Sequence, residues 1–337
     1  MDTYDLLARN AEEVVTEDEL RALADDPEGR RAYVGYEPSG VLHIGHMLTA
    51  NKLIDLQEAG FEVVILLADV HAYLNGKGTF EEIRETAERM QAQFLAYGLD
   101  ADATEFVYGS AFQLDEQYLL DLHALALETT LNRARRAMAE LQGGDTAKVS
   151  HVVYPLMQAL DIEYLDLDLA VGGEDQRKVH MLHREELPAI GYDARPALHT
   201  PIIADLKTGV GKMATSENPV LGGETITISM EDSADDIEQK VGEAFCPPTR
   251  DPDPEDGHER ENPVLQLFEY HVFPRFEEVV VERPEEYGGD VTYDSYGALA
   301  DALESGELHP ADAKGALAAY LDELIAPGRE RLAALED

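Results

Sequence analysis

Polar and apolar residues alternate over Arg31–Tyr36, which predicts a short buried strand, and Glu37-Pro-Ser-Gly40 breaks it. From residue 42 to 59 the apolar spacing changes to three and four, the period of a helix. Residues 61–69 are almost wholly apolar, as a parallel strand covered on both faces requires. An acidic helix over 16–25 precedes this unit, and a helix over 81–97 and a strand over 106–109 follow it. Two helices, 114–127 and 131–141, then form an insertion that ends in Gly143-Gly-Asp. A helix over 152–165, a strand over 167–171 and a helix over 176–187 return to the first pattern, with Gly172-Gly173 opening the loop between the last two. Strands alternating with helices predict an α/β fold with a doubly wound, Rossmann-like parallel sheet and a ligand site at the carboxyl ends of its strands. This domain is expected over 1–205, with its helical insertion at about 110–145, followed by a mobile loop and linker over 206–224. A smaller, mostly helical domain is expected over 225–337, interrupted by the exposed loop Cys246-Pro-Pro-Thr-Arg-Asp-Pro-Asp-Pro-Glu-Asp-Gly257.

Composition narrows the class. A chain of 337 residues suits about two domains with ample core. The longest apolar run, 63–68, is far too short to span a bilayer, and the first residues lack the basic flank of a signal peptide. One cysteine, Cys246, allows no internal disulfide and fits a reducing cytoplasm. Charge changes the picture further, because Asp and Glu number 69 against 26 Lys and Arg, for a net charge of −43. Such a balance ordinarily argues against a nucleic-acid partner. Here the acids are scattered through amphipathic segments, as in a globular enzyme from a cytoplasm of molar salt, where charges are screened over about 3 Å.

Two stretches carry candidate chemistry. His43-Ile-Gly-His46 sits at the start of a predicted helix after a strand, where unpaired N–H groups and the helix dipole favour an anion. Gly45 lacks a Cβ, so a flat ring such as adenine could lie on its backbone, and the two imidazoles could donate to a phosphate. Downstream, Asp205-Leu-Lys-Thr-Gly-Val-Gly-Lys-Met-Ala-Thr-Ser216 offers two glycines, Lys212 and the hydroxyls of Thr215 and Ser216. A flexible lysine there could neutralise a pentavalent phosphate transition state while leaving the ground state alone. Tyr154, Gln158 and Asp161 fall on one face of their helix at spacings of four and three, a pattern that a polar helix face would also give. Asp69 and His71, at the end of a buried strand, could touch a ligand or cap a loop. His180 and His183 lack a third ligand at defined spacing, so no metal site is expected.

The chain closely resembles the class I aminoacyl-tRNA synthetases, and among them the tyrosyl family of archaeal and eukaryotic type. The resemblance runs nearly end to end. It is carried by Tyr33-Val-Gly-Tyr-Glu-Pro-Ser-Gly40, Leu66-Leu-Ala-Asp-Val-His-Ala-Tyr-Leu74, Thr129-Thr-Leu-Asn-Arg-Ala-Arg-Arg136 and Tyr154-Pro-Leu-Met-Gln-Ala-Leu-Asp161. Ala170-Val-Gly-Gly-Glu-Asp-Gln-Arg-Lys178 and Leu308-His-Pro-Ala-Asp312 continue the series in order. One departure stands out: the family's Lys-Met-Ser-Lys-Ser loop reads Lys212-Met-Ala-Thr-Ser216, so Ala214 replaces a hydroxyl.

The resemblance implies an enzyme that forms tyrosyl-adenylate from tyrosine and Mg²⁺-bound ATP and passes the tyrosyl group to the tyrosine tRNA, with no prosthetic group. It assigns catalysis to His43, His46 and Lys212, and ATP binding to these with Gly45, Thr215 and Ser216. Asp161 and Tyr33 would clamp the substrate phenol, while Tyr154, Gln158 and Gln176 would hold its ammonium group. Arg136 and Arg177 would meet the tRNA acceptor end and Asp312 the first anticodon base. It further implies a homodimer with the 110–145 insertion at the interface, and an anticodon-binding role for 225–337. A tryptophanyl enzyme shares the architecture but needs no phenol clamp. A tRNA-independent nucleotidyltransferase shares the histidine pair but would leave the helical domain without a purpose. A non-catalytic descendant of a synthetase should have lost the histidines or Lys212.

Overall fold

The computed structural model describes residues 2–138, 148–213, 220–250, 252, 254 and 257–336. They form two compact units, one of Met1–Gly40 with Thr49–Pro201, the other of Val41–Leu48 with Ile202–Asp337. In chain order the first unit opens with α1 (Thr3–Ala8), β1 (Glu13–Val15) and α2 (Glu17–Asp25), followed by β2 (Arg31–Tyr36). Helix α3 (Ile44–Glu58) comes next, with its start grouped in the second unit. The first unit continues through β3 (Glu62–Leu67), α4 (Asp69–Leu74), α5 (Phe80–Tyr97), β4 (Thr104–Tyr108), α6 (Glu116–Glu128) and α7 (Leu131–Ala137). It closes with α8 (Val149–Tyr164), β5 (Leu169–Gly173), α9 (Arg177–Glu186) and β6 (Ala197–Thr200).

The six strands make one sheet in the order β1-β6-β5-β2-β3-β4. From β2 the chain builds outward through β3 and β4, then crosses to β5 and β6 on the other side. The switch point therefore falls between β2 and β5, whose register pairs Tyr33 with Ala170. Every pairing is parallel except β1 against β6, which is antiparallel, so the expected all-parallel sheet gains an antiparallel edge. Neither strand of this antiparallel pair was legible in the sequence, since β1 has three residues and β6 four. Strand β3 is buried from Val63 to Leu67, in keeping with its apolar run. Asp69 and His71 do not end that strand; they lie in α4, which follows it. One apolar cluster packs Tyr33, Val64, Leu66 and Ala170 of the sheet with Ile162 and Leu165. Another joins Tyr118 and Leu122 of α6 to Leu156, Met157 and Leu160 of α8 and to Val179 and Leu182 of α9.

The second unit carries α10 (Ala234–Gly242), α11 (Pro263–Leu267), the hairpin β7 (Val279–Val281) and β8 (Val291–Tyr293), α12 (Tyr296–Ser305) and α13 (Pro310–Glu336). Apart from this hairpin, its longer regular elements among the described residues are helices. Ser233 and Asp236 close a reciprocal capping box at the start of α10. The first turn of α3 is tied into the unit by two backbone bonds, Ile44 N to Ile228 O at 2.8 Å and Met230 N to Leu42 O at 2.9 Å.

Candidate active site

The two histidines and Lys212 all belong to the second unit. His43 lies just before α3, bridged antiparallel to Ser229, while Gly45 and His46 occupy the helix's first turn. The two imidazole rings stack with centroids 3.7 Å apart and planes tilted by 30°. The Gly45 N–H donates to His43 Nδ1 at 3.2 Å. A Cβ on Gly45 would meet His43 Cε1 at 3.0 Å, so the missing side chain makes room first for the His43 ring. Burial pushes the His43 pKa down to about 4, and the Lys212 charge acts in the same direction. Burial lowers His46 as well, aided by His43 and Lys212. Both rings are therefore neutral at pH 7 before any anion binds.

Lys212 is reached by a tightly bonded turn. Gly209 N donates to Asp205 O at 2.8 Å, Asp205 N to Gly211 O at 3.1 Å and Met213 N to Ile203 O at 2.9 Å. The Thr208 backbone and hydroxyl both donate to the buried Asp205 carboxylate, at 2.9 and 2.6 Å. Gly209 and Gly211 adopt φ of 70° and 69°, and a Cβ on Gly209 would lie 2.4 Å from the Glu261 carbonyl oxygen. Backbone conformation and close approach, rather than mobility, account for these glycines. Ala214, Thr215 and Ser216 lie outside the described residues, so the expected hydroxyl contacts of Thr215 and Ser216 have no geometry here.

The proposed tyrosine pocket lies in the first unit, beside the switch point of the sheet. Tyr33 is on β2, Tyr154, Gln158 and Asp161 are on α8, and Gln176 precedes α9. Gln158 Nε2 donates to Gln176 Oε1 at 3.1 Å, and Tyr154 meets His71 edge-on at 4.2 Å between centroids. Asp161 is fully buried. Its carboxylate accepts from Tyr118 Oη at 2.7 Å and from Gln113 Nε2 at 2.8 and 3.0 Å. Burial nevertheless raises the Asp161 pKa to about 7, against the lowering effect of Gln113 and Tyr118. Burial, then the Asp161 charge, pushes the Tyr33 hydroxyl up.

Gln113 and Tyr118 had no signal in periodicity or spacing. The one available clue was position, since Gln113 follows the carboxyl end of β4 by five residues. Its neighbourhood is built for it. Asp69 accepts from Ser110 N at 2.8 Å and from the Ser110 hydroxyl at 2.5 Å, which pins the turn after β4. Asp69 thus caps a loop, while a Cβ on Gly109 would lie 2.5 Å from Gln113 Oε1.

The residues expected to meet tRNA are spread along the chain. Arg136 is exposed on α7. Arg177 is engaged by Glu13, its Nε and Nη2 donating at 2.6 and 2.8 Å. Glu13 also faces His199 Nδ1 at 3.1 Å, and His199 Nε2 lies 3.0 Å from His180 Nδ1. His180 therefore belongs to a buried hydrogen-bonded string, and His183 contacts the Ala159 carbonyl at 2.8 Å. Among the described residues no group of three His, Cys, Asp or Glu side chains could hold a metal. Asp312 lies in the first turn of α13, its N–H donating to His309 O at 3.0 Å.

Known proteins give a consistent answer. A family model described as tRNA synthetases class I (W and Y) matches residues 27–326. The chain is 72% identical over 332 residues to a tyrosine–tRNA ligase of Halobacterium salinarum, covering 98% of each. It is 71% identical over 334 residues to the tyrosine–tRNA ligase of Halorubrum lacusprofundi, covering 99% of this chain and 100% of that protein. The crystal structure of a tyrosyl-tRNA synthetase complexed with L-tyrosine from Archaeoglobus fulgidus superposes with a TM-score of 0.87 at 50% identity, covering 98% of each chain.

Proposed function

The chain belongs to the class I tRNA synthetases of the W and Y family, and we propose from this premise how its residues perform the reaction. It is a tyrosine–tRNA ligase that uses ATP. The tyrosine carboxylate attacks the α-phosphate of ATP in line, forming tyrosyl-adenylate and releasing pyrophosphate. The tyrosyl group then passes to the terminal ribose of the tyrosine tRNA. Mg²⁺ enters bound to ATP, as part of the substrate.

No side-chain nucleophile is needed; positioning and charge stabilisation carry the rate. The stacked His43 and His46 donate to the nucleotide phosphates from the start of α3, where the helix dipole favours the anion. Lys212 adds its charge as negative charge gathers on the transferred phosphate, and the lowering of both imidazole pKa values by Lys212 supports their sharing one field. Gly45, Thr215 and Ser216 complete the ATP contacts.

Asp161 accepts the substrate phenol's proton in a hydrogen bond and Tyr33 completes the clamp, while Tyr154, Gln158 and Gln176 hold the ammonium group. The observation that carries this reading is a fully buried carboxylate beside the switch point of the sheet, whose remaining acceptor capacity phenylalanine would leave unfilled. The test is Asp161→Asn, measured by tyrosine-dependent pyrophosphate exchange. A charged hydrogen bond is worth about 1.5–3 kcal/mol, so kcat/KM for tyrosine should fall about ten- to hundredfold; an unchanged value rejects the pocket.

Arg136 and Arg177 position the acceptor end and Asp312 reads the anticodon from the 225–337 domain. Exposed Leu119, Leu120 and Leu127 on α6, with Leu131 on α7, support a homodimer through the insertion. Sedimentation in molar salt tests it, with a monomer for Leu120→Asp as the expected result. No helix among the described residues is long and apolar enough to cross a membrane. A cytoplasmic location agrees with this and with the single half-buried Cys246.

A further inference from the structure

Asp161 has two acceptor oxygens and only donors around it. Oδ1 takes the Tyr118 hydroxyl at 2.7 Å and the Gln113 amide at 2.8 Å; Oδ2 takes only the longer 3.0 Å contact with the same amide. Of the two, Oδ2 therefore keeps more acceptor capacity. The Gln113 amide is held on course by Gly109, where any Cβ would collide with Oε1. Tyr118 is itself fully buried and packs edge-on against Phe112 and Tyr164. Two neutral donors on separate elements are thus aimed at one carboxylate from which no cation is within salt-bridge distance among the described residues.

We propose that Gln113 and Tyr118 are specificity-determining positioning residues, which keep Asp161 ionised and its free acceptor aimed at a hydrogen-bond donor on the para position of the bound amino acid. This rests on the reading of Asp161 as the phenol's partner. A protonated Asp161 would be donor as well as acceptor, and would lose its discrimination against side chains that carry no donor. Burial raises its pKa to about 7, and the two donors oppose that rise. The other titratable groups acting here are Tyr33 of β2 and Tyr164 of α8, both pushed up by burial and so neutral over the working range.

The test compares wild type with Tyr118→Phe and Gln113→Met, which keep shape and remove one donor each. Pyrophosphate exchange is measured from pH 5.5 to 9 with tyrosine and with phenylalanine. In each variant the acid limb of kcat/KM for tyrosine should move up by about one to two pH units, the equivalent of one lost charged hydrogen bond. The preference for tyrosine over phenylalanine at pH 7 should fall about tenfold, with KM for ATP unchanged. Equal losses at every pH would make the two residues merely structural and overturn the proposal. Asp161→Asn, run alongside, separates the levels: wild-type activity there would reject the pocket itself, whereas a loss there with unmoved acid limbs rejects only the role of Gln113 and Tyr118.

Discussion

His43 accepts the Gly45 N–H on Nδ1, at 3.2 Å, and so carries its own proton on Nε2. The bond fixes a tautomer that can donate while uncharged. Because the His43 pKa lies at about 4, the neutral ring is the resting form over the whole physiological range.

The pH profile should reflect this. kcat/KM for ATP reports the free enzyme, so it should show no inflection near 6.5 arising from His43. Nitrogen NMR of the imidazoles should find the Nε2-protonated neutral form at pH 7. A His43 titration near 6.5 would contradict the assignment.

Lys212 should act mainly in the transition state. Lys212→Ala is expected to lower kcat for adenylate formation by a hundredfold or more, roughly the loss on removing one preorganised donor. Its Michaelis constants for ATP and tyrosine should move far less. A normal kcat with a raised ATP constant would make the lysine loop a simple binding element.

Acid should destabilise the protein from a higher pH than surface carboxylates alone would dictate. Burial lowers His71 and His183 to about 4 and His271 to about 3, below the ordinary 6.5 of an unfolded histidine. The unfolded chain therefore binds these protons first, and stability falls as pH drops from about 6.5 toward 4. Asp161 works in the opposite sense, since its folded pKa is raised to about 7 and its protonation favours the folded form as pH falls. With His43, which burial also lowers to about 4, four protons against one leave a net slope of about three, or roughly 4 kcal/mol per pH unit, and His46, His180 and His199, likewise lowered by burial, act in the same sense. Urea midpoints between pH 7 and 4.5 at fixed salt measure it; a flat profile would contradict the sign.

A surface with net charge −43 should need salt. Dilution from molar salt to 0.1 M lengthens the screening distance from about 3 to about 10 Å and lets the carboxylates repel. Helicity and aminoacylation, followed by circular dichroism and charging assays during dialysis from molar potassium chloride, should both decline. Survival of both for hours in dilute buffer would require another cause for the acidic surface.

Gly209→Ala should destabilise the second unit, because φ is 70° and the new Cβ would fall 2.4 Å from the Glu261 carbonyl oxygen. The strained backbone alone costs about 1–3 kcal/mol, readable as a lower thermal midpoint. A midpoint equal to wild type would show that the turn relaxes without cost.

Periodicity located the long elements because their apolar faces are regular: β2 spans the residues it predicted, and α5 and α8 differ from expectation by a few positions at their ends. It missed β1 and β6, whose three and four residues are too short for a period and whose pairing depends on a partner far along the chain. Fixed local spacing marked the histidine pair and Lys212 as candidates. Gln113 and Tyr118 were not, since each reaches Asp161 across more than 40 residues and through a turn set by Asp69 and Ser110. Arg177 was expected to meet the tRNA acceptor end, and its carboxylate partner Glu13, 164 residues away, gave no signal in the sequence.

The sheet order also sets a timetable for synthesis. Strands β2, β3 and β4 emerge together and can pair at once, but the other flank of β2 is completed by β5, whose last residue is Gly173. At a usual ~5–20 residues per second, the apolar flank of Arg31–Tyr36 waits on the order of ten seconds without its neighbour. Strand β1 waits longer still, because its partner β6 ends at Thr200, so the first strand made is the last to dock. A nascent chain stalled before residue 169 would present an open strand edge with no charged side chain from Ala32 to Tyr36, beneath an otherwise acidic coat, and that is where newly made copies would stick to one another.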